Sequence, residues 1–213
     1  MKAGYRNHNN SNNSSNDNND DDNNDIEKCV RVLRDNGIKV CVFDMDQTAV
    51  AAHSRGRLRR GGLAQETYIN RATRAFVELV PALHRNGFGL AIATHSDEHE
   101  YGENVRPETH ILGSALARAV LEHHFEPDVS SAFYVVAYNP RARGTMDDEK
   151  HKIKRHHMRL ILDRFGVDPH EIVFWDDVPR NVQDCRVHFG VHAILVNATK
   201  GFQLHNVLGY HGW

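Results

Sequence analysis

The chain has 213 residues, 25% of them charged, with a formal net charge of −2. That length suits one domain with a sizeable core. The near-neutral balance excludes a polybasic nucleic-acid or membrane binder, and no apolar run approaches the ~18 residues of a membrane span.

The first 25 residues stand apart. Their Asn/Asp/Ser tract, "NHNNSNNSSNDNNDDDNND", has almost no apolar side chains, and Lys2 and Arg6 face five Asp. Such a segment cannot bury enough surface to offset chain entropy, so residues 1–25 are expected to be disordered and 26–213 to form the folded domain. The tract has neither a signal peptide's apolar core nor a transit peptide's basic character. Cys29, Cys41 and Cys185 form no CxxC pair, which fits reduced thiols. An intracellular, cytoplasmic protein is expected.

Beyond the tail, strands and helices alternate. "IKVCVFD" (38–44) is apolar throughout, as a strand covered on both faces should be. Residues 66–87 carry Ile69, Phe76, Val77, Val80 and Leu83 at helical spacing, ending at Asn86-Gly87, with Pro81 expected to kink or restart the helix. "FGLAIATH" (88–95) reads as a second strand. The spacing of Ile111, Leu112, Leu116, Val120 and Leu121 predicts a helix over 108–125. "AFYVVAYN" (132–139) is a third strand, and 154–166 is a helix closed by Gly166. Strands over 171–177 and 192–197 complete the series. This alternation predicts an α/β fold: a three-layer α/β/α domain around a mainly parallel, five-stranded, Rossmann-like sheet.

In such sheets ligands bind beyond the carboxyl ends of the strands. Asp44, Thr94 and Asp176 each end a predicted strand, with Asp46 and Asp177 close behind. Carboxylates converging on one volume repel, and a hard divalent cation such as Mg²⁺ relieves that repulsion. A carboxylate beyond the metal's needs can attack phosphorus. Thr94 offers a hydroxyl and Lys154 a compact positive charge to a phosphoryl group.

Four stretches together resemble the haloacid dehalogenase superfamily: "FDMDQT", "LAIATH", Lys154 and "VFWDDVPRNV", in that family's order over about residues 38–197. "KRHHMRLILDRFGV" followed by "VFWDDVPRN" is most similar to its magnesium-dependent phosphatase branch. The resemblance implies Asp44 as nucleophile and Mg²⁺ ligand. Asp46 would be general acid and then base, touching the metal through its backbone carbonyl. Asp177 would ligate Mg²⁺, and Asp176 would hold Lys154 or a metal-bound water. Met45 and Gln47 would line the phosphate loop through backbone N–H groups. Gln47 stands where the family often has Gly. Lys150 and Lys152 lie close to Lys154, and Lys152 is the alternative for the lysine role.

The intervals 49–93 and 95–153 leave no space for a separate cap domain, so an open crevice is expected. It would take a phosphorylated protein or another accessible phosphomonoester. Arg55, in the run with Arg57, Arg59 and Arg60, is a candidate phosphate grip, and so is His95; Arg141 and Arg143 could add to the rim. The Arg run is short and lacks aromatics, so nucleic acid is not an expected partner. The sixteen His show no zinc-type spacing. The rival readings are a nucleic-acid 3′-end phosphatase and a catalytically weak binding module of the same fold.

Overall fold

The computed structural model describes residues 17–139 and 154–213, with side chains from residue 24 onward. A five-stranded sheet forms the centre: β1 (Val40–Phe43), β3 (Gly89–Thr94), β5 (Phe133–Ala137), β6 (Ile172–Asp176) and β7 (His192–Leu195), in the order β5-β3-β1-β6-β7. Every pairing is parallel. The chain runs outward from β1 to β3 and β5, then returns to the other side of β1 for β6 and β7. The strand order therefore reverses at β1, and the crevice at a sheet's carboxyl end lies at such a reversal.

The sheet is covered on both faces because β1 alternates its side chains. Cys41 and Phe43 enter one apolar cluster, while Val40 and Val42 enter the other. The first cluster holds α1 (Asp17–Asp35), α3 (Arg74–Arg85), α4 (Gly113–His124) and α8 (His205–Leu208). Its centre is aromatic: Phe43 stacks on Trp175 at 4.7 Å, and Phe76 and Phe202 meet Phe43 edge-on. The second cluster packs α6 (Arg155–Phe165) and α7 (Pro179–Phe189) through Met158, Ile161, Val182 and Cys185.

Several expected elements shift. Helix α1 begins at Asp17, so it crosses the expected boundary at residue 25, while residues 1–16 lie outside the described residues. Its buried stripe of Ile26, Cys29, Val30 and Leu33 anchors it. The region 66–87 is two helices, α2 (Leu63–Ile69) and α3, and the break falls upstream of Pro81, which sits inside α3. The cause is a competing pairing. The Ala51 N–H donates to the Arg71 carbonyl, and the Thr73 N–H donates to that of Ala49. Those bonds need an extended backbone at 71–73, and Thr73 then caps α3 by accepting from the Phe76 N–H.

The region 108–125 also divides. Ile111 and Leu112 belong to β4 (His110–Leu112), which pairs antiparallel with β2 (Arg57–Arg59). Gly113 then turns the chain into α4 with φ +61°, and a Cβ there would lie 2.2 Å from the Glu98 carboxyl carbon. That carboxylate occupies the helix start, accepting from the Ser114 N–H at 2.6 Å. The two intervals between the first motifs thus meet in a small two-stranded sheet. Short α5 (Pro127–Ala132) leads into β5. No helix among the described residues is long and apolar enough to cross a membrane.

Candidate active site

Beyond the carboxyl ends of β1, β3 and β6 lies a half-open cavity of about 330 Å³. Asp44, Asp46, Thr94 and Asp177 line it, with Gln47, His53, Arg55, His95, Glu100 and Asn181. Asp44 follows β1 directly. Its N–H donates to the Trp175 carbonyl, which continues the ladder with β6 by one residue and fixes the side chain over the switch point.

Lys154, at the N-terminal end of α6, is fully buried. Its Nζ lies 2.6 Å from Asp44 Oδ1 and also donates to the Ala93 carbonyl. Among the described residues the Asp44 carboxylate is bonded through Oδ1 alone, and Asp44 lines the cavity. Burial pushes the Asp44 carboxyl well up, the Lys154 ammonium opposes this, and the Asp176 and Asp46 charges add to the rise. Lys152 lies outside the described residues, as do Lys150, Arg141 and Arg143.

Asp46 is held on both oxygens. Its Oδ1 accepts from the Tyr68 hydroxyl at 2.5 Å and from the Ser54 N–H at 3.1 Å. Its Oδ2 accepts from Ser54 Oγ at 2.8 Å and lies 2.7 Å from His53 Nδ1. The carboxylate is therefore occupied by protein donors, and any contribution to a metal falls to its backbone carbonyl.

Asp176 is fully buried, and Asn181 Nδ2 reaches its two oxygens at 3.0 and 2.9 Å while the Val178 N–H donates to Oδ1 at 2.7 Å. The expected bond to Lys154 is replaced by these. Burial raises the Asp176 carboxyl to about 6 against the Lys154 charge. Asp177 turns into the cavity half-buried, and burial raises it too. Asn181 had no signal in the sequence beyond its place in the first turn of α7, one turn past Asp177.

The phosphate-loop expectation needs correction at Gln47. The Gln47 N–H donates to the Ala52 carbonyl at 3.0 Å and is not free for a ligand, although the side chain reaches the cavity wall. Gln47 takes φ 59°, the left-handed conformation that explains why Gly is common at such a position. The Met45 side chain is packed in the core, and its carbonyl accepts from the Val50 N–H. Thr94 Oγ1 accepts from the Ser96 N–H at 3.2 Å, which leaves its own hydrogen available to a ligand. His95 and Arg55 both line the cavity, Arg55 in a left-handed turn.

No protein-family model matches the sequence. No curated protein matches it either. Solved structures similar to it include the N-terminal part of a Bacteroides fragilis protein containing a phosphatase domain complexed with Mg. That chain is 15% identical with a TM-score of 0.48, and the match covers 84% of this chain and 42% of that one. A haloacid dehalogenase-like family hydrolase from Streptococcus pneumoniae is 13% identical with a TM-score of 0.45, covering 82% and 91%. A dehalogenase is 14% identical with a TM-score of 0.43, covering 75% and 85%. This chain spans less than half the length of the first of these.

The donor set suits a hard cation. Among the described residues no three His, Cys, Asp or Glu side chains form a metal-holding group. Two carboxylates, Asp44 and Asp177, line one cavity beside the backbone at Asp46, and both are raised by burial. Mg²⁺ takes one or two carboxylates and fills its remaining positions with oxygen from water or phosphate. The Asp46 and Asp176 carboxylates are occupied by protein donors.

Beneath the cavity, His157 of α6 is fully buried, with Nε2 2.8 Å from the Thr94 carbonyl. A carbonyl only accepts, so Nε2 carries the proton. Burial and the Lys154 charge hold this imidazole well below its usual value. The unfolded chain therefore takes up a proton that the folded one refuses. Stability is complete above about pH 6.5 and declines as pH falls, by up to about 1.4 kcal/mol per unit for this one group. Urea unfolding at pH 7 and pH 5 should show a smaller acid loss for His157→Gln than for the wild type.

Proposed function

We propose that the chain is a haloacid dehalogenase-like phosphatase: a Mg²⁺-dependent phosphomonoester hydrolase working through an aspartyl-phosphate on Asp44. The observation that carries this reading is the buried Lys154–Asp44 pair at the floor of a cavity that Asp46, Thr94 and Asp177 also line. A buried lysine leaves one Asp44 oxygen tied and one available, which is what an in-line nucleophile needs.

The ester's phosphorus meets Asp44 Oδ2, and the P–O bond to the leaving group breaks as the new P–O bond forms. Asp46, as the acid, gives its proton to the departing oxygen and the alcohol leaves. As carboxylate, Asp46 then takes a proton from water, which attacks the same phosphorus and releases phosphate and free Asp44. Lys154 and the Thr94 hydroxyl hold the equatorial oxygens, so positioning and charge supply most of the acceleration. Bound Mg²⁺, held by Asp44, Asp177 and the Asp46 carbonyl, would neutralise charge on the phosphoryl oxygens.

The substrate is a phosphomonoester, on a protein or a small molecule, whose phosphate reaches into the cavity. Wild type should hydrolyse p-nitrophenyl phosphate with Mg²⁺ and lose that activity with a chelator. Asp46→Asn should lower turnover about 10²- to 10⁴-fold, the usual worth of a general acid–base. Equal rates for the two proteins, or an inert wild type across phosphopeptides, sugar phosphates and 3′-phosphorylated oligonucleotides, would refute the proposal.

A further inference from the structure

We propose that Tyr68 and Ser54 are positioning residues that commit one oxygen of Asp46 to accepting hydrogen bonds, so that its other oxygen, Oδ2, carries the proton to the leaving group. This rests on the reading of Asp46 as the acid. The carboxyl torsion of an aspartate is soft, so nothing in its own geometry decides which oxygen faces the substrate. Here the surroundings decide it. Oδ1 receives the Tyr68 hydroxyl at 2.5 Å and the Ser54 N–H at 3.1 Å. A backbone N–H cannot accept, so a proton on Oδ1 would forfeit that bond. Oδ2 instead faces Ser54 Oγ, which can reverse to accept, and His53, whose side chain is 57% exposed. The fixed partners are on one oxygen and the exchangeable ones on the other.

The fold spends structure on this contact. Tyr68 and Ser54 are almost fully buried, while Asp46 keeps partial access to the cavity. Tyr68 comes from α2, 22 residues along the chain. The helix is docked there by the same 49–51 to 71–73 backbone pairing that ends it early. A phenol placed only for packing would have no need to reach the acid.

Leaving-group dependence tests the assignment. The value of kcat/KM reports steps up to phosphoenzyme formation, where the acid acts. A nitrophenolate leaves with little help, whereas an alkoxide needs a proton. Tyr68→Phe keeps the buried ring and removes the hydroxyl. It should lower kcat/KM for glycerol phosphate by about tenfold and for p-nitrophenyl phosphate by no more than about threefold. In an Asp46→Asn background the same change should have no further effect on either ester, since the two act as one unit. Tyr68→Met should show the same pattern, and it serves if Tyr68→Phe fails to fold by thermal melting; Ser54→Ala keeps the N–H that donates to Oδ1 and should show a smaller selective loss. Equal losses on both esters, or a loss that multiplies with Asp46→Asn, would overturn the assignment. An inert wild type would instead remove the phosphatase reading beneath it.

Discussion

Asp44→Asn should leave a folded protein whose phosphatase turnover has fallen about 10⁴-fold or more, the scale on which removing a nucleophile is felt. The amide is the same size and shape. Its oxygen can still accept from Lys154 Nζ, which lies 2.6 Å away in the wild type, and Lys154 keeps the Ala93 carbonyl. The amide cannot attack phosphorus to form an acyl phosphate that water will open. Removing the charge also relieves the repulsion from Asp176 and Asp46 that pushes the native carboxyl up. Against this, Lys154 loses its buried counter-charge, so the melting temperature should fall modestly while the fold is kept. Intact-protein mass spectrometry after an acid quench should find a phosphoryl increment on wild type and none on Asp44→Asn. An increment on both, at equal turnover, would place the nucleophile elsewhere.

The contrast between fold and site shows what a sequence displays. The central strands are legible because each is a short, mostly buried apolar run, from the four residues of β1 to the six of β3. The carboxylates stand at strand ends, where the chain leaves apolar cover, so Asp44 and Asp176 declare themselves. Three-residue strands do not. Ile111 and Leu112 keep helical spacing with Leu116, yet they pair with β2, because the decision is made by partners some fifty residues away. The split at 70–73 is likewise set by backbone bonds to 49–51, for which periodicity has no signal.

Side-chain roles follow the same division. Lys154, next to a periodic helix, sits where sequence can look. Tyr68 lies inside an amphipathic helix and reads as core until its hydroxyl is seen on Asp46. Asn181 and Asp176 meet across one turn at the start of α7, a pairing that depends on Pro179 opening the helix at that place. The Gln47 N–H, assigned by analogy to phosphate, is satisfied within its own loop. Local patterns reveal which residues reach the rim, whereas three-dimensional pairing decides which oxygen or N–H remains free there.

Lys154→Met should be the most destabilising single change, costing about 3–5 kcal/mol, because it leaves Asp44 buried without its cation. The ammonium is almost wholly excluded from water and Asp44 only about one-tenth exposed, so solvent cannot substitute. The thioether follows the lysine stem closely, so lost packing is a small part of the cost. Folding should instead draw a proton onto Asp44, and the penalty should ease as pH falls. The sign follows from the burial that already raises this carboxyl: with Lys154 gone, nothing lowers it again, and the folded state binds a proton that the unfolded state releases at neutral pH. Adding Asp44→Asn to Lys154→Met should therefore recover about 2 kcal/mol, since replacing both members of a buried pair costs less than orphaning one. Urea denaturation of the two single variants and the double at pH 7 measures this. If the double falls by the sum of the singles, the pair carries no coupling, and Lys154 is holding the end of β3 through Ala93 alone.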